Sequence, residues 1–128
     1  MLDNPVFAAA FSPSSRAEVA IVADLPELGP TARVNGRIDR LAILDDAVLI
    51  VDFKTNRPPA KREADVEPLY KTQMALYRAA AAKIFSGRRI VCGLVWTEGP
   101  TLMELSNGLL DAEMGAIRQR LDPHGARS

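Results

Sequence analysis

Valine, isoleucine and leucine gather in short runs along this chain, and Gly, Pro, Asn and Asp separate the runs. Residues Ala17–Ala23 (AEVAIVA) form a short Val/Ile-rich run of the kind that makes strands. Two prolines and a glycine in Asp24–Pro30 follow it with a turn or loop. Arg33–Leu44 reads as a longer strand with Gly36 inside it, and Asp45-Asp46 as a tight turn. Ala47–Phe53 (AVLIVDF) is almost continuously apolar, which predicts a strand buried on both faces. Lys54–Glu67 is a polar, proline-containing loop that carries Arg57, Lys61 and Arg62. Pro68 suits a helix's first turn. Leu69–Phe85, alanine-rich and free of Gly and Pro, predicts the helix itself, stopped by Ser86-Gly87. Arg89–Thr97 is a second buried-type strand, Glu98-Gly99-Pro100 a turn, and Thr101–Leu105 a short strand. Asn107 is placed to cap a last helix, Gly108–Leu121, whose Leu109, Leu110, Met114 and Ile117 fall at helical spacing. Ahead of all these, Met1–Arg16 holds an apolar patch, Val6–Phe11, with room for one helical turn, and a loop at Ser12–Ser15. The tail Asp122–Ser128 is expected to fray. Three strands, a helix, two strands and a helix make an α/β or α+β sheet with helices packed on it.

At 128 residues the chain fits a single domain spanning residues 1–128, or part of one. With 48% hydrophobic and 25% charged residues it is too apolar for a disordered tail. Sixteen Lys+Arg balance sixteen Asp+Glu, so a nucleic-acid partner would be met through a local patch and not an overall basic field. No apolar run approaches the ~18–20 residues of a membrane span, and the first residues lack a basic leader region. The one cysteine, Cys92, lies in an apolar run, reads as core packing, and fits a reducing cytoplasm. There is no G-x-x-x-x-G-K-[ST] and no G-x-G-x-x-G, and the only histidine, His124, sits in the tail. Nucleotide-driven work, dinucleotide chemistry and His-based zinc or triad chemistry have no carrier here.

Carboxylates remain. Asp39 lies within one predicted strand and Asp52 near the end of the most buried one, both costly places for an unpaired charge. If Asp45-Asp46 is a two-residue hairpin loop, Leu44 faces Ala47, and counting back along both strands sets Asp39 opposite Asp52. Their Cβ atoms would then lie roughly 4.5–5.5 Å apart on one face. Two carboxylates that close repel unless a cation sits between them. Lys54, two residues past Asp52, points to the same face. Hard oxygen donors without His or Cys suit Mg²⁺ or Mn²⁺, and an adjacent lysine can offset developing negative charge. A three-residue loop would instead put the aspartates on opposite faces, though a β-bulge could restore the register. Ion pairing of Asp39 with Arg37 or Arg40, and of Asp52 with Lys54, is the structural alternative.

The motif Gly36…Asp39-Arg40-Leu41, a hydrophobic strand ending Asp52-Phe53-Lys54-Thr55, and a helix with Gln73…Tyr77 resemble the RecB-type branch of the PD-(D/E)XK nuclease superfamily. Ser15–Val19, Asp52–Pro58, Tyr70…Gln73–Tyr77 and Leu94–Thr97 are similar to the C-terminal nuclease domains of alphaproteobacterial AddA-type helicase–nucleases, which act in AddAB double-strand-break repair. The resemblance runs from about Leu2 to Leu121. It implies a restriction-endonuclease-like fold, a mixed β-sheet with flanking helices. It also implies a fragment of a larger chain that lacks the domain's first helix, an upstream ligand there (often a histidine), and the ATP-binding motor. The implied activity is Mg²⁺- or Mn²⁺-dependent exonucleolytic DNA hydrolysis in homologous recombination. DNA would be one partner, an AddB-type subunit another, and no membrane is involved. Asp39, Asp52 and the Phe53 carbonyl would hold the metal, and Lys54 would be the catalytic lysine. Gln73 and Tyr77, one helical turn apart, would stand beside the site. Arg40, Thr55 and Arg57 would contact DNA, with Lys61 and Arg62 flanking, and Glu18 would be a further acidic member. Rival readings are a stand-alone or Cas4-like RecB-family nuclease, and a catalytically silent nuclease-fold module that binds DNA or a partner subunit.

Overall fold

A computed structural model describes residues 15–54, 62, 65–96 and 101–121. Five strands form one sheet in sequence order: β1 (Arg16–Asp24), β2 (Arg33–Ile43), β3 (Ala47–Lys54), β4 (Arg89–Trp96) and β5 (Thr101–Leu105). β1, β2 and β3 form an antiparallel meander, β4 runs parallel to β3, and β5 returns antiparallel. A parallel neighbour requires a crossover. Helix α1 (Pro68–Ile84) supplies it between β3 and β4, and helix α2 (Asn107–Leu121) follows β5.

The β2–β3 turn is the two-residue loop that the Asp45-Asp46 pair predicts. Leu44 N–H donates to the Ala47 carbonyl at 2.7 Å, and Arg40, Leu41, Ala42 and Ile43 face Val51, Ile50, Leu49 and Val48. This fixes the register on which the site depends.

β3 is buried on both faces, as its unbroken apolar run predicts. Val48 and Ile50 join the core beneath α1 with Ile38, Leu41, Met74, Ala80, Leu94 and Leu110, while Ala47, Leu49 and Val51 cluster on the other face with Ala42, Val91 and Val95. Small alanines on α1 (Ala75, Ala80, Ala81) let the helix lie close on the sheet. α1 starts with Pro68 in its first turn, and past its end the chain turns through Gly87 at φ 89, a conformation that glycine adopts without a Cβ penalty. The helices are tied by Arg78–Asp111 at 2.7 Å and by Thr72 Oγ1 donating to Glu113 at 2.7 Å.

Three expectations are adjusted. The cap of α2 is Ser106, not Asn107: its Oγ accepts from Leu109 N–H at 3.2 Å. A 3-10 turn, Pro26–Leu28, lies within the first loop and buries Leu28. The β2 strand ends one residue early, at Ile43. The expected N-terminal turn and the C-terminal tail lie outside the described residues. Among the described residues no helix is long and apolar enough to cross a membrane.

Candidate active site

The site forms at the end of β3 remote from the hairpin. Along most of its length β3 is zipped to both neighbours. β4 accompanies it to the last residue, Lys54 opposite Trp96, whereas the β2 ladder stops at Arg40 opposite Val51. The next outward-facing amide, Phe53 N–H, donates not to a backbone carbonyl but to Asp39 Oδ2 at 2.9 Å. Asp39 thus caps the point where β2 and β3 part. The same step brings its carboxylate against that of Asp52, as the hairpin register anticipates.

A local fault in the pleat accompanies this. On β1 the residues packed on the α1 side are Val19, Ile21 and Ala23, and on β2 they are Val34 and Ile38. Beyond Asp39 the alternation has slipped by one: Leu41 now faces α1, and Ala42 the opposite side. The β1–β2 pairing keeps the same register on both sides of the slip, and the pair left out is Glu18 with Asp39. Glu18 has φ 53, the one non-glycine residue at positive φ among those described. Matching kinks in two strands therefore re-aim the chain at Asp39. The Glu18 side chain is exposed and pairs with Arg37 at 3.5 Å.

Asp52 and Lys54 are 5% and 8% exposed, the buried charged residues of the described core. Both lie on the α1 side, two residues apart. Lys54 Nζ donates to Asp52 Oδ2, so the ion pair offered as the structural alternative does form, but it forms inside the site. Nζ is also 3.4 Å from Gln73 Oε1 and 3.7 Å from the centre of the Tyr70 ring, and Gln73 Nε2 lies 3.4 Å from Tyr77 Oη. Burial, and then the adjoining Asp39, push the Asp52 carboxyl up to about 6 against the opposing pull of Lys54. A raised carboxyl beside a second carboxylate marks a place where a cation relieves repulsion.

Gly36 explains itself here. A Cβ at this position would meet Tyr77 at 2.6 Å from Cε1 and 2.8 Å from Oη. The glycine lets the hydroxyl end of the Tyr77 ring lie close against β2, where the hydroxyl meets Gln73.

The structure brings together Asp39, Asp52, Lys54, Gln73 and Tyr77, with the Phe53 amide of β3 bonded to Asp39. It adds Tyr70, which shares the α1 face of Gln73 and Tyr77 at i, i+3 and i+7; that periodicity was the signal available in the sequence. Arg40 is half-buried, and its pairing with Val51 puts it on the sheet face opposite Asp52. Arg62 is exposed and pairs with Asp65 at 3.2 Å. Thr55, Arg57 and Lys61 lie outside the described residues. Cys92 is buried, and burial pushes its thiol up to about 12, in keeping with a packing role.

Residues 6–105 match the family model of the PD-(D/E)XK nuclease superfamily. The chain belongs to that superfamily. No curated protein matches it. Among solved structures it is similar to a protein described as a "putative exonuclease" from Eubacterium rectale, with TM-score 0.65 at 13% identity over 94% of this chain and 47% of that one. It is also similar to the protein SSO0001, with TM-score 0.50 at 15% identity over 91% of this chain and 54% of that one. The chain spans about half the length of these two structures. The chain's mixed five-stranded sheet with flanking helices is the restriction-endonuclease-like fold of the superfamily.

Among the described residues no three His, Cys, Asp or Glu side chains converge on one point. The adjoining carboxylates of Asp39 and Asp52 are hard oxygen donors, and such a pair fits the divalent metal ions that PD-(D/E)XK nucleases generally use.

Proposed function

We propose that this domain hydrolyses DNA phosphodiesters with a divalent cation, and that Asp39, Asp52 and Lys54 carry the reaction. One observation carries the reading: two carboxylates from neighbouring strands adjoin each other next to a buried lysine, in the notch where β2 and β3 separate. Asp39, Asp52 and the Phe53 carbonyl would hold Mg²⁺ or Mn²⁺, which supplies charge neutralisation at the phosphate and an acidified water. Asp39 is oriented by the Phe53 amide, which donates to its Oδ2, and its carboxylate adjoins that of Asp52. Lys54 presents its ammonium from the same face, placed to offset the charge that builds on the phosphate oxygens as the P–O bond breaks. Gln73 accepts from that ammonium, and Tyr77 fixes Gln73.

The finer reading is an exonuclease module of an AddA-type helicase–nuclease acting in double-strand-break repair, with an AddB-type partner and cytoplasmic location. The D-F-K-T and Q-x-x-x-Y stretches of the sequence are what support it. Arg40, Thr55 and Arg57 are the DNA-contacting residues of this reading.

The test is Mn²⁺ calorimetry on the chain, on Asp52→Ala and on Lys54→Ala, with plasmid and single-stranded DNA as cleavage substrates. Asp52→Ala is expected to lose metal binding. Lys54→Ala is expected to keep it and cut at least ~100-fold more slowly. Metal requires the ionised carboxylate, so affinity should fall by about tenfold per pH unit below about 6, where Asp52 takes up a proton. If the wild-type chain binds no Mn²⁺ and cuts nothing, the reading fails and a binding module without catalysis replaces it.

A further inference from the structure

We infer that Tyr70 is a positioning residue for Lys54: the face of its ring holds the ammonium in the active site when the Asp52 carboxylate is engaged elsewhere. The inference rests on the reading of Lys54 as the residue that acts at the phosphate.

Lys54 is nine-tenths buried, on the last residue of β3, and its Nζ is met from three sides. Asp52 approaches along the strand, Gln73 Oε1 lies at 3.4 Å, and the Tyr70 ring centre lies at 3.7 Å. Only the first of these partners is a charge, and it is also a metal ligand in the proposed site. A cation shared with Asp52 weakens the hold of that carboxylate on the lysine. A long lysine side chain then has rotamer freedom to recover. The Gln73 contact is long for a hydrogen bond. The ring face is a neutral partner that does not compete for the metal, and a desolvated ammonium over an aromatic ring is the stronger form of this interaction.

Tyr70 is well placed to serve in this way. Its N–H closes the first turn of α1 on the Glu67 carbonyl at 3.0 Å, so the ring projects from the ordered start of the helix. Tyr70, Gln73 and Tyr77 follow one another along a single helix face, and Gly36 seats the far end of that row.

The experiment compares Tyr70→Phe and Tyr70→Leu in the full chain. The first reads out Lys54 directly: the protons of its ε-methylene, assigned by loss of the signal in Lys54→Ala, should be displaced upfield by the ring. The displacement should persist in Tyr70→Phe and disappear in Tyr70→Leu. The second reads out cleavage: Tyr70→Leu should lower kcat by about tenfold, equivalent to about 1.4 kcal/mol, with KM for DNA and Mn²⁺ affinity unchanged. Tyr70→Phe should restore most of it. A general loss of fold would lower the melting temperature and the metal affinity together, and the Phe variant separates that case. The inference is overturned if the Lys54 methylene is indifferent to Tyr70→Leu. It is also overturned if kcat is unchanged in Tyr70→Leu while Lys54→Ala is inactive. If Lys54→Ala cuts as well as wild type, the underlying reading of Lys54 falls instead, and the resonance shift still decides whether the ring holds it.

Discussion

The two ends of β3 share a face and a strand but follow opposite rules. Toward the hairpin, Val48 and Ile50 point into the core under α1, fully buried, with β2 and β4 paired on both sides. Two and four residues further along the same face come Asp52 and Lys54, almost as buried, with the β2 ladder already finished. The apolar end closes because β2 and β4 pair with it on both sides and its side chains join the two core clusters. The polar end stays open because Asp39 replaces a backbone acceptor and the chain at Glu18 and Asp39 slips its pleat. The difference shows how a fold can set like charges side by side: the hydrophobic half supplies the register, and the slip at Glu18 and Asp39 completes the arrangement. Neighbouring carboxylates are unfavourable for folding and useful for binding a cation.

The sharpest way to break this comparison is to damage one end and read out the other. Ile50→Ala should destabilise the domain by about 2–5 kcal/mol, the range for deleting a buried branched side chain in a packed core. At temperatures where the variant remains folded it should bind Mn²⁺ as the wild type does. Asp52→Asn keeps an oxygen acceptor for Lys54 and removes the repulsion with Asp39, so its stability should move by no more than about 1 kcal/mol while metal binding is lost. Urea titration and calorimetry on both variants are sufficient. Loss of metal binding in folded Ile50→Ala would mean that the two ends are not separable.

The next effect in size concerns the row of residues on α1. Gly36→Ala places a methyl group against the Tyr77 ring, which must move. Overpacking of this kind costs about 1–3 kcal/mol. Because Tyr77 holds Gln73, cleavage should fall as well. Adding Tyr77→Leu to Gly36→Ala should recover stability, with a coupling of about 1 kcal/mol in the double-mutant cycle. An additive cycle would show that Gly36 is there for some reason other than the ring.

Much of this was legible in the sequence, for identifiable reasons. The apolar run of β3 announced burial on both faces, and on the condition of a two-residue Asp45-Asp46 loop, which the structure meets, counting set Asp39 opposite Asp52. Gln73 and Tyr77 were visible through the resemblance to the Q-x-x-x-Y motif, and helical spacing adds that they share one face. Tyr70 was quoted in the same stretch, yet its meeting with Lys54 depends on how α1 docks over the end of β3, which no local pattern specifies. The cap at Ser106 in place of Asn107 reflects the closeness of two residues with similar capping preference. The pleat slip was hidden for a different reason: nothing in the chemistry of a glutamate signals a left-handed backbone.

That last point yields the smallest effect and the most discriminating one. Glu18 is exposed, and its carboxylate goes to Arg37 at 3.5 Å, a surface pair worth little. Its backbone is what stands opposite Asp39. A non-glycine residue at φ 53 carries roughly 1–2 kcal/mol of conformational cost. Glu18→Gly removes both the carboxylate and that cost, so the domain should gain up to about 1 kcal/mol and retain Mn²⁺ affinity within about twofold. Glu18→Val removes the carboxylate too, but a β-branched residue resists positive φ. It should lose about 1–2 kcal/mol, and Mn²⁺ affinity should weaken as the kink relaxes and Asp39 leaves the Phe53 amide. The two variants are alike in charge and differ in backbone freedom. Equal losses of metal binding in both would make the Glu18 side chain itself a ligand. A loss confined to the valine variant would assign the effect to the shape of the strand.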